Sequence, residues 1–195
     1  ADDLPFLTVQ LNRNISAVEQ VYDKGWGMVR EAQRKAAKSI KNVFIVPSTD
    51  GNMSDFIHNS SAANMVLGER LAMAALGGVY GRGCAYEAPD IEEAKRIGDR
   101  EVLLHFNHVS DRLDTFNVDR SEIPFTVVDE DGIVEIEGYK VTGASCIVLT
   151  LNKVPVGKTL VHGGYKTNPC RFVPIDIETH LPMLSFYGVE IGGTL

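Results

Sequence analysis

Asp55-Phe56-Ile57-His58 is the stretch whose residue types and spacing suit acyl transfer by an activated hydroxyl. That chemistry needs a base within hydrogen-bond reach of the hydroxyl and a carboxylate that fixes the tautomer of the base. Residues three apart on a turn or a first helical turn lie on one side, so Asp55 can take the Nδ1 proton of His58 and leave Nε2 facing a nucleophile. Asp50 is a competing carboxylate, and a flexible loop brings either one to the imidazole; the shorter spacing favours Asp55. The D-x-x-H pattern alone is short, and its bland reading is a loop aspartate beside a solvated histidine. Ser48 and Ser54 are the nearest hydroxyls within the chain. Ser145 lies before a strand-like run, where a nucleophile elbow would lie before a helix, and reads as a turn serine.

The pair follows the unalternating apolar run Val43-Phe44-Ile45-Val46, which has the character of a strand buried on both faces and is ended by Pro47. The carboxyl end of such a strand is where open α/β sheets assemble sites. Upstream, Phe6 to Leu11 reads as another buried strand. Between the two, a helix begins near Trp26, with Met28, Ala32, Ala36 and Ile40 as the stripe expected to pack on the sheet. Arg30, Arg34, Lys35, Lys38 and Lys41 are expected to form its solvated side. Ser60 or Ser61 can cap a second helix running toward Tyr80 and ended by Gly81 and Gly83. Its many apolar residues, Leu67 and Leu71 to Leu76 among them, predict burial on more than one side and contact with both halves of the chain.

From about Glu87 the pattern changes to short β runs, at Glu101 to Phe106, Phe125 to Val128, Ile133 to Ile136, Cys146 to Leu151 and Leu160 to His162. Residues 1–83 are thus expected to form part of an α/β domain. Residues 84–195 are expected to form a β-rich module, an antiparallel sandwich or small jelly roll.

Composition narrows the partners. A formal net charge of −7 over 195 residues, with no basic stripe, argues against nucleic acid. No apolar run approaches the roughly 20 residues that span a bilayer, and the opening residues lack the basic start of a signal peptide; with no initiator Met and a direct opening into the strand-like Leu4 to Val9, a mature or truncated product is expected. Cys84, Cys146 and Cys170 have no metal-type spacing and read as packing residues. His105 and His108 lack further ligands for a zinc site. Gly78 to Gly83 follows a helix and reads as a helix terminator, not a phosphate loop. Sequons at Asn14, Asn52 and Asn59 are incidental to the chemistry. Tyr165, Asn168, Tyr187 and Trp26 could line a sugar pocket or serve packing; Tyr165 with Asn168 is favoured as an interdomain contact, Trp26 as a helix-start residue.

The order of several motifs resembles a known family. Leu4-Pro5-Phe6 with Val9-Gln10-Leu11, Trp26 with Arg30-Glu31-Ala32-Gln33, Asp50, Asp55-Phe56-Ile57-His58, and Gly68-Glu69-Arg70-Leu71-Ala72 with Tyr80-Gly81 resemble the second half of a sialate O-acetylesterase-like domain of the SGNH (GDSL) hydrolases. Phe106-Asn107-His108, Tyr165 to Pro169 and Leu181-Pro182 to Phe186 resemble the β-rich module of the same family. The resemblance implies a partial three-layer, flavodoxin-like α/β/α fold and a secreted or periplasmic serine esterase. Its substrates would be acetylated sugars such as O-acetylated sialic acid or acetylated xylan. It implies His58 as general base and no metal or organic cofactor. The family's glycine-glutamine-serine nucleophile motif is missing from this sequence, and Asn59 stands where the family usually has proline. The nucleophile is therefore expected on an upstream chain or fragment that completes the domain. The rival reading is a noncatalytic carbohydrate-binding or structural module.

Overall fold

The computed structural model describes residues 3–16, 22–116, 122–170 and 172–193. Two strands open the chain, β1 (Phe6–Val9) and β2 (Val43–Val46), paired in parallel with Phe6 opposite Val43 and Val9 opposite Val46. Parallel neighbours need a crossover, which is helix α1 (Asp23–Ser39). Helix α2 (Ser61–Ala74) follows the 48–60 loop, and the Ser60 hydroxyl caps it by accepting from the Ala63 N–H at 3.2 Å. Its last turn widens into a π-turn over Ala75–Val79, closed by the Tyr80 N–H on the Ala75 carbonyl.

Ten further strands follow: β3 (Asp90–Arg96), β4 (Glu101–Asn107), β5 (Leu113–Asp114), β6 (Phe125–Asp129), β7 (Gly132–Val134), β8 (Ile136–Thr142), β9 (Cys146–Leu151), β10 (Leu160–Gly163), β11 (Ile175–Asp176) and β12 (Phe186–Gly192). Eight of them form one sheet in the order β7-β6-β10-β12-β3-β4-β9-β8. β12 is the shared strand: Val189 and Glu190 pair with β10, then Ile191 and Gly192 pair in parallel with β3. The ring of Phe125 on β6 meets Tyr139 on β8 at 5.9 Å, although these strands lie near opposite ends of the order. The sheet therefore curls around one apolar core that includes Leu104, Phe106, Val127, Ile147, Leu149 and Phe186. The expected separate sandwich or jelly roll is replaced by this continuous sheet with one parallel join. The run expected at 133–136 is divided between β7 and β8, and the charged segment Asp90–Arg96 forms a strand that periodicity did not reveal.

Both helices correct the expectations for their faces. Met28 is 51% exposed and Ile40 56%, whereas Arg30 is fully buried and Arg34 nearly so. α1 buries its polar side because what it packs on is rich in backbone carbonyls. Arg30 donates through Nε to Leu11 O (2.8 Å), through Nη2 to Asn12 O (2.6 Å), and through Nη1 to the carbonyls of Gly164, Tyr165 and Lys166 (3.0, 3.2 and 2.7 Å). Burial pushes this guanidinium down to about 9, with Arg13 adding to the effect and Asp23 opposing it, so it remains charged at neutral pH. Arg34 holds Glu31 in a fork and reaches Asp90 at 2.9 Å. Gln10 exchanges two 2.8 Å bonds with the backbone of Ser185, in the manner of a β ladder. α2, expected to be buried on more than one side, leaves Met65, Val66 and Met73 exposed. The contact expected between Tyr165 and Asn168 and the amino-terminal unit is made through the backbone: the Tyr165 carbonyl accepts from Arg30, and the neighbouring Thr167 N–H donates to Asp23 (2.7 Å).

Candidate active site

Val46 ends β2, and Pro47 starts the loop that carries the D-x-x-H residues. The loop folds back on itself: Ser54 N–H donates to His58 O (2.8 Å), Met53 bridges Asn59, and Ser60 N–H donates to Asn52 O (2.8 Å). Within it Asp55 forms an Asx-type turn, with Oδ1 accepting from the backbone N–H groups of Ile57 (2.9 Å) and His58 (2.8 Å). Oδ2 is then left for Nδ1 of the His58 ring, 2.8 Å away. The pair meets on a turn, before the helix begins at Ser61.

These bonds hold the Asp55 carboxyl down at about 2, the Ile57 N–H contributing most and the His58 ring next. The side chains of His58 and Asp55 are 70% and 55% exposed. With Nδ1 donating to the carboxylate, the lone pair of a neutral ring sits on Nε2, the tautomer a general base requires.

Asp50, the alternative carboxylate, is engaged elsewhere: Arg70 grips it with a fork at 2.8 and 2.6 Å and also donates to Pro47 O (2.8 Å). Ser48 is buried, with its hydroxyl on Gln10 O at 2.6 Å, and Ser54 directs its hydroxyl to the carbonyl of His58 at 3.2 Å. Neither hydroxyl is turned to the imidazole nitrogen. Asn12, which sequence reasoning missed, clamps the loop from outside by donating to Ile57 O (3.0 Å) and to Asn59 Oδ1 (2.9 Å). Its signal was absent locally, because the bond spans 45 residues. Beside the loop, Arg13, Ile15, Asn52, Met53, Glu122 and Asn168 line a depression of about 650 Å³.

The other candidate sugar contacts lie apart from the loop. Tyr187 stacks on the buried ring of His162 at 4.3 Å and Tyr165 tilts against it at 4.9 Å, while Trp26 donates to Asn12 O (2.7 Å) from the first turn of α1. His162 accepts from the Gly188 N–H (2.8 Å), and burial pushes its imidazole down to about 4. His105 and His108 each pair with a carboxylate, Glu92 at 3.0 Å and Glu87 at 3.2 Å. Burial pushes the Cys170 thiol up to about 12, far from nucleophilic character. Among the described residues no helix is long and apolar enough to cross a membrane.

Comparison with known proteins gives this loop a context. The family described as "Carbohydrate esterase, sialic acid-specific acetylesterase" matches residues 1–77. Among solved structures, XAC1771, a carbohydrate acetylesterase from Xanthomonas citri, is 25% identical with a TM-score of 0.77, over 94% of this chain. The chain spans 41% of that protein's length. The N-terminal part of the bacterial S-layer protein SbsC aligns at 12% identity and a TM-score of 0.40, over 70% of this chain and 29% of its own. That overlap is too loose to carry an argument. No curated protein matches the chain. The match over the first 77 residues and the fold shared with a carbohydrate acetylesterase support a sialate O-acetylesterase-like family.

Proposed function

We propose that this chain is the part of a carbohydrate O-acetyl esterase that carries the base, His58, oriented by Asp55. The observation that carries the reading is the 2.8 Å contact between Nδ1 and a carboxylate locked by two backbone N–H groups, on the loop leaving β2. In the proposed reaction a serine hydroxyl on a segment upstream of this chain attacks the acetyl carbonyl while Nε2 of His58 takes its proton. Nε2 returns that proton to the departing sugar oxygen, and a water then releases acetate by the same route. Asp55 stays ionised throughout and stabilises the imidazolium.

Two features support an upstream segment. Among the described residues β1 is paired on one edge only, with β2, and its first residue, Phe6, is 62% exposed. A free parallel edge is ordinarily covered. In this reading β1 and β2 are the end of a longer sheet within a three-layer SGNH domain. The substrates are acetylated sugars, O-acetylated sialic acid or acetylated xylan, and the setting is secreted or periplasmic, where such polymers are met.

The chain alone should leave p-nitrophenyl acetate unhydrolysed, and supplying the upstream segment should restore turnover. In the restored protein His58→Ala should lower kcat by about 10³-fold or more, and Asp55→Asn by about 10²–10⁴-fold. Full turnover by the His58→Ala protein would defeat the proposal. Fluorophosphonate labelling of a serine in residues 1–195 would move the nucleophile into this chain. Glycan binding without any turnover would favour the noncatalytic carbohydrate-binding reading.

A further inference from the structure

We propose that the cleft between α1, β2, the start of β3 and the end of β4 is a second, noncatalytic site that binds a neutral sugar ring. The cleft encloses about 520 Å³ and is walled by Phe44, Tyr86, Lys38, Asn107, His108 and Glu92. Its size falls within the roughly 300–1,000 Å³ of small-molecule sites. None of its lining residues comes from the 48–60 loop, so it is separate from the Asp55–His58 pair.

Three departures from ordinary structure converge there. The aromatic wall is the first: Phe44 and Tyr86 meet edge to face at 6.1 Å, and each ring is pressed against a glycine of the π-turn, Gly78 for Phe44 and Gly77 for Tyr86. A Cβ at either glycine would collide with its ring, so the π-turn fixes where the rings stand. Irregular helical turns of this kind are frequent at functional sites. His108 is the second, held in the left-handed region at φ 57°, which non-glycine residues adopt at a cost and which collects at binding sites. The third is Asn107 Oδ1, a buried acceptor to which no group among the described residues donates.

The chemistry of the ligand follows from what the cleft has left over. Its charges are already matched: Arg34 and Lys38 lie on Asp90 at 2.9 and 2.7 Å, His108 on Glu87 at 3.2 Å, and Glu92 on His105 at 3.0 Å. A charged ligand would have to break one of these pairs. What remains is two aromatic surfaces and polar edges with spare hydrogen-bonding capacity. A neutral pyranose meets both, laying its C–H face on a ring and offering hydroxyl donors to the outer lone pairs of Glu92. Such a site would anchor a glycan chain away from the reacting ester.

Titration of the chain with xylohexaose, cellohexaose and mannohexaose at millimolar concentration, followed by amide proton–nitrogen spectra, tests this directly. At least one of the three should shift the amides of Gly77, Gly78, Tyr86, Asn107 and His108 and leave residues 52–59 in place. His108→Gly, which suits the left-handed backbone and so preserves folding, should weaken that binding about tenfold or more, as should Tyr86→Ala. The site is refuted if none of the three sugars moves those amides, if the shifts fall only on residues 52–59, or if His108→Gly binds as tightly as the parent. Because the readout involves neither His58 nor turnover, it succeeds or fails independently of the esterase reading.

Discussion

Asp55 shows how much can be settled by one side chain. One of its oxygens satisfies two backbone N–H groups, the other fixes the imidazole, and together they hold its carboxyl at about 2. A depressed carboxyl contributes order that is complete above its unfolded value, near 3.9, and is lost as pH falls through about 2. Between pH 4 and 8 the Asp55 charge is constant, so no limb of a kcat/KM profile measured over that range in the restored enzyme should report Asp55. His162 adds a dependence of the same sign at higher pH. Its ring is buried, and it titrates at about 4 in the folded chain against roughly 6.5 unfolded. The unfolded state therefore binds the extra proton between those values. Stability should fall on acidification through that window by up to about 1.4 kcal/mol per pH unit. Urea titrations at pH 7, 6 and 5 would show it, and His162→Phe should flatten the dependence. The D-x-x-H pair was legible from residue types and spacing. Asn12 and the Arg70 fork on Asp50 were not, because they join positions 45 and 20 residues apart whose proximity only the fold creates.

At the level of elements, β2, α2's cap and strands β4, β6 and β9 could be read from apolar runs and turn residues, since burial of a strand leaves a mark in its own sequence. α1 misleads the same logic. Its apolar stripe, Met28, Ala32 and Ile40, faces outward, and its arginines face in, because a surface of carbonyl oxygens selects guanidinium donors where an apolar sheet would select Leu or Ile. β3 was hidden for a related reason: Asp90 is buried by its ion pairs with Arg34 and Lys38, and the other charges stand in adjacent pairs, Glu92–Glu93 and Lys95–Arg96, with a bulge between Ile91 and Glu93 that breaks the period of two. Arg30→Ala should therefore destabilise the chain by at least about 3 kcal/mol, since it strands several buried carbonyl oxygens. Arg30→Lys should recover little of that, because an ammonium cannot span the five acceptors that the fork reaches. Gly27 belongs to the same packing: a Cβ there would stand 3.0 Å from Tyr187 and 3.1 Å from Tyr165, closer than ordinary contact. Chemical denaturation followed by Trp26 fluorescence, at the joint itself, would report these effects.

For the whole molecule, the chain passes from helices and a small parallel sheet to a large, mostly antiparallel one. What sequence could not convey was the curl of that sheet, because β12 serves two sets of neighbours and the pairing partners are distant in the chain. The outward apolar positions offer a test at this scale. Met28 and Ile40 make little packing in this chain, so Met28→Lys with Ile40→Lys should change its unfolding free energy by no more than about 0.5 kcal/mol each. If the upstream segment covers them, the same pair should sharply weaken its association, measured by co-purification or calorimetry.

The seam between α1 and the large sheet is sealed by directional bonds and very little grease. Apolar surfaces tolerate sliding; a guanidinium whose Nη1 meets the carbonyls of Gly164, Tyr165 and Lys166 while Nε and Nη2 hold those of Leu11 and Asn12 has one angle at which it closes. The loop bearing His58 is thus carried on a stiff frame, and opening it costs nearly what unfolding costs. A heating trace should accordingly show both units melting in one step, with no halfway state in which a helix swings free while the strands stay ordered.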